Sequence, residues 1–252
     1  MKIAYADCFS GISGDMFLAA LLDAGLPLDV LQDGIDKLNL SENVELKLTE
    51  TRKGALRAAD LEVIVPTSHH HRHLSDILDI LSGSTLSEPV KQTAGRIFTL
   101  VAEAEARVHG EPVEHVHFHE VGALDSIVDI VGAVIGLDAL GIEQLYASPL
   151  PYGGGVIDSA HGKLPLPAPA TLEVLRMAQA PLTPSEAQVE LVTPTGAAIL
   201  GALATFERPK FTITGIGVGA GKRDMAWPNL MRLIIGNTPA DNNTTAHHHH
   251  HH

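Results

Sequence analysis

The sequence is short of cysteine, of aromatic side chains and of positive charge, and each shortage removes a class of answers. One cysteine, Cys8, in 252 residues excludes an internal disulfide and suits a reducing compartment. Phe, Trp and Tyr make up 4% of the chain while hydrophobic residues make up 45%, so the core has to be aliphatic. Lys and Arg number 17 against 30 Asp and Glu, a formal net charge of −13. Such an acidic surface repels DNA, RNA and anionic membranes and suits the handling of cations. No uninterrupted apolar run reaches the roughly 20 residues a membrane helix needs. The start, MKIAYADCF, has no signal-peptide apolar region. These features predict a soluble, cytoplasmic protein with no nucleic-acid or membrane partner. Also missing are the Gly-Lys-Ser/Thr of a phosphate-binding loop and the GxGxxG of a dinucleotide fold.

What is present centres on residues 115–129, HVHFHEVGALDSIVD. His115, His117 and His119 alternate, so an extended strand would turn all three to one face. Glu120 follows, and Val121-Gly122-Ala123 is a small apolar break. A helix beginning near Asp125 would place Asp125 and Asp129, four apart, on one side. Imidazole suits nickel, zinc, copper and iron, and carboxylates add charge and hard ligands. His117, His119, Glu120, Asp125 and Asp129 are therefore candidate metal ligands. A purely structural alternative stays open, with Asp125 capping the helix, Asp129 solvated and the histidines along an edge strand. A second histidine cluster lies in Thr67–His73, TSHHHRH. His69, His70, His71 and His73 there read equally as a mobile metal-capturing loop or as a polar surface loop.

Three further stretches have ligand-binding chemistry. Ser10, Gly11, Ser13, Gly14 and Asp15 follow a strand and open a helix, an arrangement that offers backbone N–H groups to an anion. Thr193, Thr195 and Gly196 stand at a second strand-to-helix step, where a threonine can cap the helix and the glycine lets a ligand approach. Gly217 and Gly219 belong to a glycine alternation that can form anion-binding nests, with Lys222-Arg223 adding charge. A tight turn with a capped helix accounts equally well for the first two. Cys8 could serve as a soft transient nickel ligand, although a small buried residue at a strand end is the simpler reading.

The pattern along the chain predicts a mixed α/β arrangement, α+β, with helices on mixed sheets and several hairpins. Strands are expected at 2–8, 44–51, 60–66, 143–150, 156–161, 211–218 and 229–235. Helices are expected at 16–24, 28–38, 73–81, 88–109, 126–140 and 169–177, with one more following Thr195. Gly132 and Gly136 put a small-residue stripe on one helix, with room for a packed neighbour or for a second copy of the chain. A boundary near the second histidine cluster would divide a small α+β unit, 1–66, from a larger unit, 67–237. Residues 238–252 read as a flexible linker ending in six histidines of the form of a purification tag.

The motifs DCFSGISGDM (7–16), HFHEVGALDSIVDI (117–130), SPLPYGGG (148–155), HGKLPLPAPAT (161–171), LVTPTGAA (191–198) and GVGAGKRD (217–224) occur in an order that resembles the nickel insertion proteins called LarC. The likeness runs from residue 1 to about 236. It implies insertion of nickel into pyridinium-3,5-bisthiocarboxylic acid mononucleotide, giving the nickel-pincer cofactor of lactate racemase. It also implies a further C-terminal domain that binds CTP with manganese or magnesium. Under that resemblance the central stretch holds nickel and Thr67–His73 collects it. Loss of a ring proton on forming the nickel–carbon bond calls for a base, with His119, Glu120 and Asp125 as candidates. The glycine-rich stretches would receive the substrate phosphate. Lactate racemase apoprotein is a candidate partner. Two alternatives remain open: a non-catalytic nickel-binding or assembly domain, and a metal-dependent hydrolase.

Overall fold

The computed structural model describes residues 1–66, 72–118, 121–159 and 162–239. The strands are β1 (Lys2–Asp7), β2 (Glu45–Lys53), β3 (Leu56–Ile64), β4 (Gln144–Ala147), β5 (Leu150–Tyr152), β6 (Val156–Ser159), β7 (Gly162–Pro165), β8 (Leu182–Pro184), β9 (Ala204–Thr205), β10 (Thr212–Ala220) and β11 (Leu230–Asn237). The helices are α1 (Gly14–Asp23), α2 (Leu28–Asp36), α3 (Leu74–Gly83), α4 (Glu88–His109), α5 (Leu124–Ala139), α6 (Pro169–Met177) and α7 (Pro194–Leu203). The architecture is α+β, as the sequence pattern predicts.

Seven strands form one sheet in the order β2-β3-β10-β11-β1-β4-β9. β1 pairs antiparallel with β11 and parallel with β4, so strands from both ends of the chain meet at its centre. β5 with β8 and β6 with β7 make two small sheets beside it.

The sheet carries α1 on one face, and α5 covers α1 in turn. The sequence of α1, GDMFLAALLD, is apolar all round, and Met16 to Leu22 are all buried. Such a helix is stable only when enclosed on every side. Gly217 and Gly219 on β10 make the enclosure possible. A Cβ at either would stand 1.9 Å from the carbonyl oxygen of Ala20 or Met16, so the helix backbone rests directly on the strand. The small-residue stripe of α5 is filled within the chain as well. A Cβ at Gly132 would come 3.1 Å from Leu18, and one at Gly136 2.8 Å from Leu21.

The structure corrects two local expectations. Residues 115–119 do not form a strand presenting three histidines. Pro112 leads into a 3-10 turn, Val113–His115, and the chain then runs without regular pairing as far as Phe118. Val116 and Phe118 are buried while His115 and His117 stay exposed, because the two apolar residues anchor the segment to the core. The expected strand at 143–150 is two strands. Ser148 turns its hydroxyl to the Cys8 N–H, 2.9 Å away, and Pro149 has no N–H to extend a ladder.

Among the described residues no helix is long and apolar enough to cross a membrane.

Candidate functional site

α1, α5 and α7 all begin at the same cavity, which has a volume of about 360 Å³. Local sequence sets each start. Ser13 caps α1, accepting from Met16 N–H at 3.4 Å, and its hydroxyl donates to Asp15. Thr193 caps α7, accepting from Gly196 N–H at 3.2 Å, with Pro194 in the first turn where a missing N–H costs nothing. α5 starts from Ala123, which offers no side-chain cap.

Long-range contacts bring the starts together. Gly11, at φ +102, takes a left-handed turn that few other residues tolerate, and places Ile12 beside Val192. Ile12 N–H donates to Leu191 O at 2.9 Å, and Thr193 N–H donates to Ile12 O at 3.0 Å. Gly14 N–H donates to Thr195 Oγ1 at 3.3 Å, and the two threonine hydroxyls lie 3.1 Å apart.

Asp15, Asp125 and Asp129 line this cavity together with Ser13, Thr193 and Thr195. Asp15 and Asp125 lie in the first turns of α1 and α5, where the helix dipole favours a carboxylate. Asp129 lies one turn deeper and is 9% exposed, and its Oδ1 has no hydrogen-bond partner. Burial first, then the charges of Asp15 and Asp125, push its pKa well above the ordinary carboxylate range, while Lys222 pulls the other way. Gly14 makes room for it, since a Cβ there would stand 2.4 Å from Asp129 Oδ2.

Lys222, just beyond β10, closes the rim. Its Nζ pairs with Asp60, donates to Leu61 O at 2.8 Å and lies 3.9 Å from Asp15. Glu62, Ser126 and Lys222 line the cavity without having been singled out as site residues in the sequence. The GVGAGKRD motif carried the signal for Lys222.

Other candidates lie elsewhere. Ser10 is buried and accepts from Trp227 Nε1 at 2.9 Å. Gly11 and Gly196 abut backbone at Leu191 and Ile12, and Gly217 and Gly219 face α1. Cys8 is fully buried, and burial, reinforced by Asp7, raises its thiol pKa far above normal, so it stays protonated.

The two histidine segments, distant in sequence, are adjacent in space. Phe118 N–H donates to Arg72 O at 3.0 Å, and the rings of His73 and His117 lie 3.9 Å apart, centre to centre. His73 Nδ1 lies 2.9 Å from Val116 O. If Nδ1 carries the proton for that bond, Nε2 keeps its lone pair for a metal. Arg72 donates to Gly122 O at 2.7 Å and so ties the pair to the segment entering α5. His69, His70, His71, His119 and Glu120 lie outside the described residues. Among the described residues no three His, Cys, Asp or Glu side chains stand close enough to hold a metal ion by themselves.

Fold and site together define an α+β domain that gathers carboxylates and hydroxyls where three helices begin, with an imidazole pair on the adjoining segment. The family described as Nickel insertion protein matches residues 4–251, and the chain belongs to that family. A relative from Roseiflexus castenholzii, named for nickel insertion, is 53% identical over 236 residues, 94% of this chain and 60% of the relative. A Desulfitobacterium hafniense relative is named pyridinium-3,5-bisthiocarboxylic acid mononucleotide nickel insertion protein. It is 49% identical over 238 residues, 94% of this chain and 58% of its own length. The chain thus spans about three fifths of the curated relatives it matches. No solved structure matches it.

Proposed function

We propose that this chain is the nickel-handling part of a protein that inserts nickel into pyridinium-3,5-bisthiocarboxylic acid mononucleotide. Family membership and the name of the Desulfitobacterium relative support the reaction. The observation that carries the assignment to this chain is the pairing of His73 with His117, which joins two histidine-rich segments into one candidate nickel entry point. Nickel here is cargo. His73 and His117 receive it, with His69, His70, His71, His119 and Glu120 as neighbours in sequence. Asp125 and Asp129 border the path toward the substrate.

Bonding nickel to a ring carbon replaces a C–H bond, so one proton leaves for each metal inserted. His119, Glu120 or Asp125 accepts it. We assign CTP coupling, with manganese or magnesium, to the further C-terminal part of the longer relatives. Lactate racemase is the proposed user of the finished cofactor, and the cytoplasm the proposed place of work.

Nickel calorimetry on protein lacking His247–His252 tests the reading, because six terminal histidines bind nickel themselves. The His73→Ala, His117→Ala double variant is expected to weaken binding about 10–100-fold, the range for losing groups that hold or orient a metal ligand. Equal nickel affinity in both proteins would refute the entry point.

A further inference from the structure

We propose that the cavity at the three helix starts is a second site, distinct from the imidazole pair, for a hard divalent cation of the magnesium–manganese class bridging to a nucleotide phosphate. The assignment of that phosphate to the pyridinium substrate rests on the nickel-insertion reading. The site itself does not.

Donor chemistry is the first argument. Every polar side chain lining the cavity ends in oxygen except Lys222. Carboxylate, hydroxyl and water oxygens suit magnesium and manganese, whereas nickel favours the imidazoles that the structure places elsewhere.

Asp129 is the second argument, and it separates this cluster from an ordinary set of surface acids. Asp15 and Asp125 have a sufficient structural reason in the first turns of their helices. Asp129 has none. It is buried, it lines the cavity, and its Oδ1 lacks any hydrogen bond. A carboxylate kept there unpaired costs stability unless a ligand repays it. The chain also omits a side chain at Gly14 to accommodate it.

Third, the described side chains do not form a closed cage. Magnesium does not require one. It is held by one or two carboxylates, keeps several waters and completes its shell with substrate phosphate oxygens. The phosphate side is present too. Lys222 stands at the rim, and α5 starts without a side-chain cap, where backbone N–H groups favour an anion.

The test is manganese binding to protein lacking His247–His252, followed by loss of the free Mn(II) paramagnetic resonance signal. Binding is measured alone, then with inorganic phosphate, nicotinic acid mononucleotide or CTP. Manganese should bind, and at least one phosphate compound should tighten it about fivefold or more, as a shared site requires. Asp129→Asn should weaken manganese about tenfold or more, with nickel binding unchanged. Lys222→Gln, a surface substitution, should leave manganese binding intact and remove the tightening. Tightening by the mononucleotide alone assigns the phosphate to the substrate, and by CTP alone to the nucleotide; both support the site. No manganese binding, binding unmoved in Asp129→Asn, or no tightening by any phosphate overturns it. Loss of nickel entry with manganese binding retained sinks only the imidazole assignment, and the converse sinks only this one.

Discussion

Replacing Gly219 by alanine tests the closest contact in the fold. The new Cβ would stand 1.9 Å from Met16 O and 3.0 Å from Ala20 N, both backbone atoms of α1. A carbon rests about 3.3 Å from a carbonyl oxygen, so α1 must withdraw by more than about 1 Å. Neither partner is a flexible side-chain end that could swing aside. Overpacking ordinarily costs about 1–3 kcal/mol, and here a fully buried helix has to move, so about 3 kcal/mol or more is expected. For a chain of this size that corresponds to a fall in Tm of about 6–12 °C. Gly215→Ala is the control on the same strand. Its Cβ would meet its nearest atoms at 3.8 Å, an ordinary contact. That substitution should be neutral, or stabilising by up to about 1 kcal/mol through the unfolded chain. Thermal and urea unfolding of the three proteins provide the comparison. A Gly219→Ala protein melting within about 2 °C of the parent, or a Gly215→Ala protein falling equally far, would refute the packing argument and return Gly219 to ligand binding.

Thr193→Ala removes the cap of α7 and should cost about 1 kcal/mol, a Tm fall of about 2–4 °C, with Thr193→Ser restoring most of it. Asp129 gives a pH signature. Its folded pKa lies above the unfolded value of about 3.9, so the folded state holds the extra proton and stability falls as pH rises from there to the folded pKa. Asp129→Asn should lack that decline. Its urea midpoint should therefore gain on the parent's between pH 4.5 and 8 in EDTA (about the window above the unfolded pKa), and parallel pH profiles would contradict the raised pKa.

Much of the local structure was legible in the residues. Glu88–His109 was readable as a helix to both ends, because its apolar residues recur at three and four and Gly110 takes the left-handed cap. Pro169 marked the start of α6. The central histidines misled because alternation was read as a strand, although Pro112 upstream already favoured a turn. In that segment Val116 and Phe118, not the histidines, decide the orientation. Gly217 and Gly219 looked like an anion nest because a glycine's role depends on what faces it, and α1 is some two hundred positions away in sequence.

The sequence by itself determined the aliphatic α+β character, the acidic charge, most helix limits and the i,i+4 spacing of Asp125 and Asp129. Those follow from periodicity, capping and composition, which act over a few residues. The family likeness was also legible, from the order of its motifs. Only the tertiary structure brought residues 13–15, 125–129, 193–195 and 222 to one cavity, because sheet order and the Ile12–Val192 contact decide which helix starts meet. It alone joined His73 to His117, and it alone left Asp129 buried without a partner for Oδ1. Burial and unmet hydrogen bonds belong to the packed chain, and no run of residues displays them beforehand.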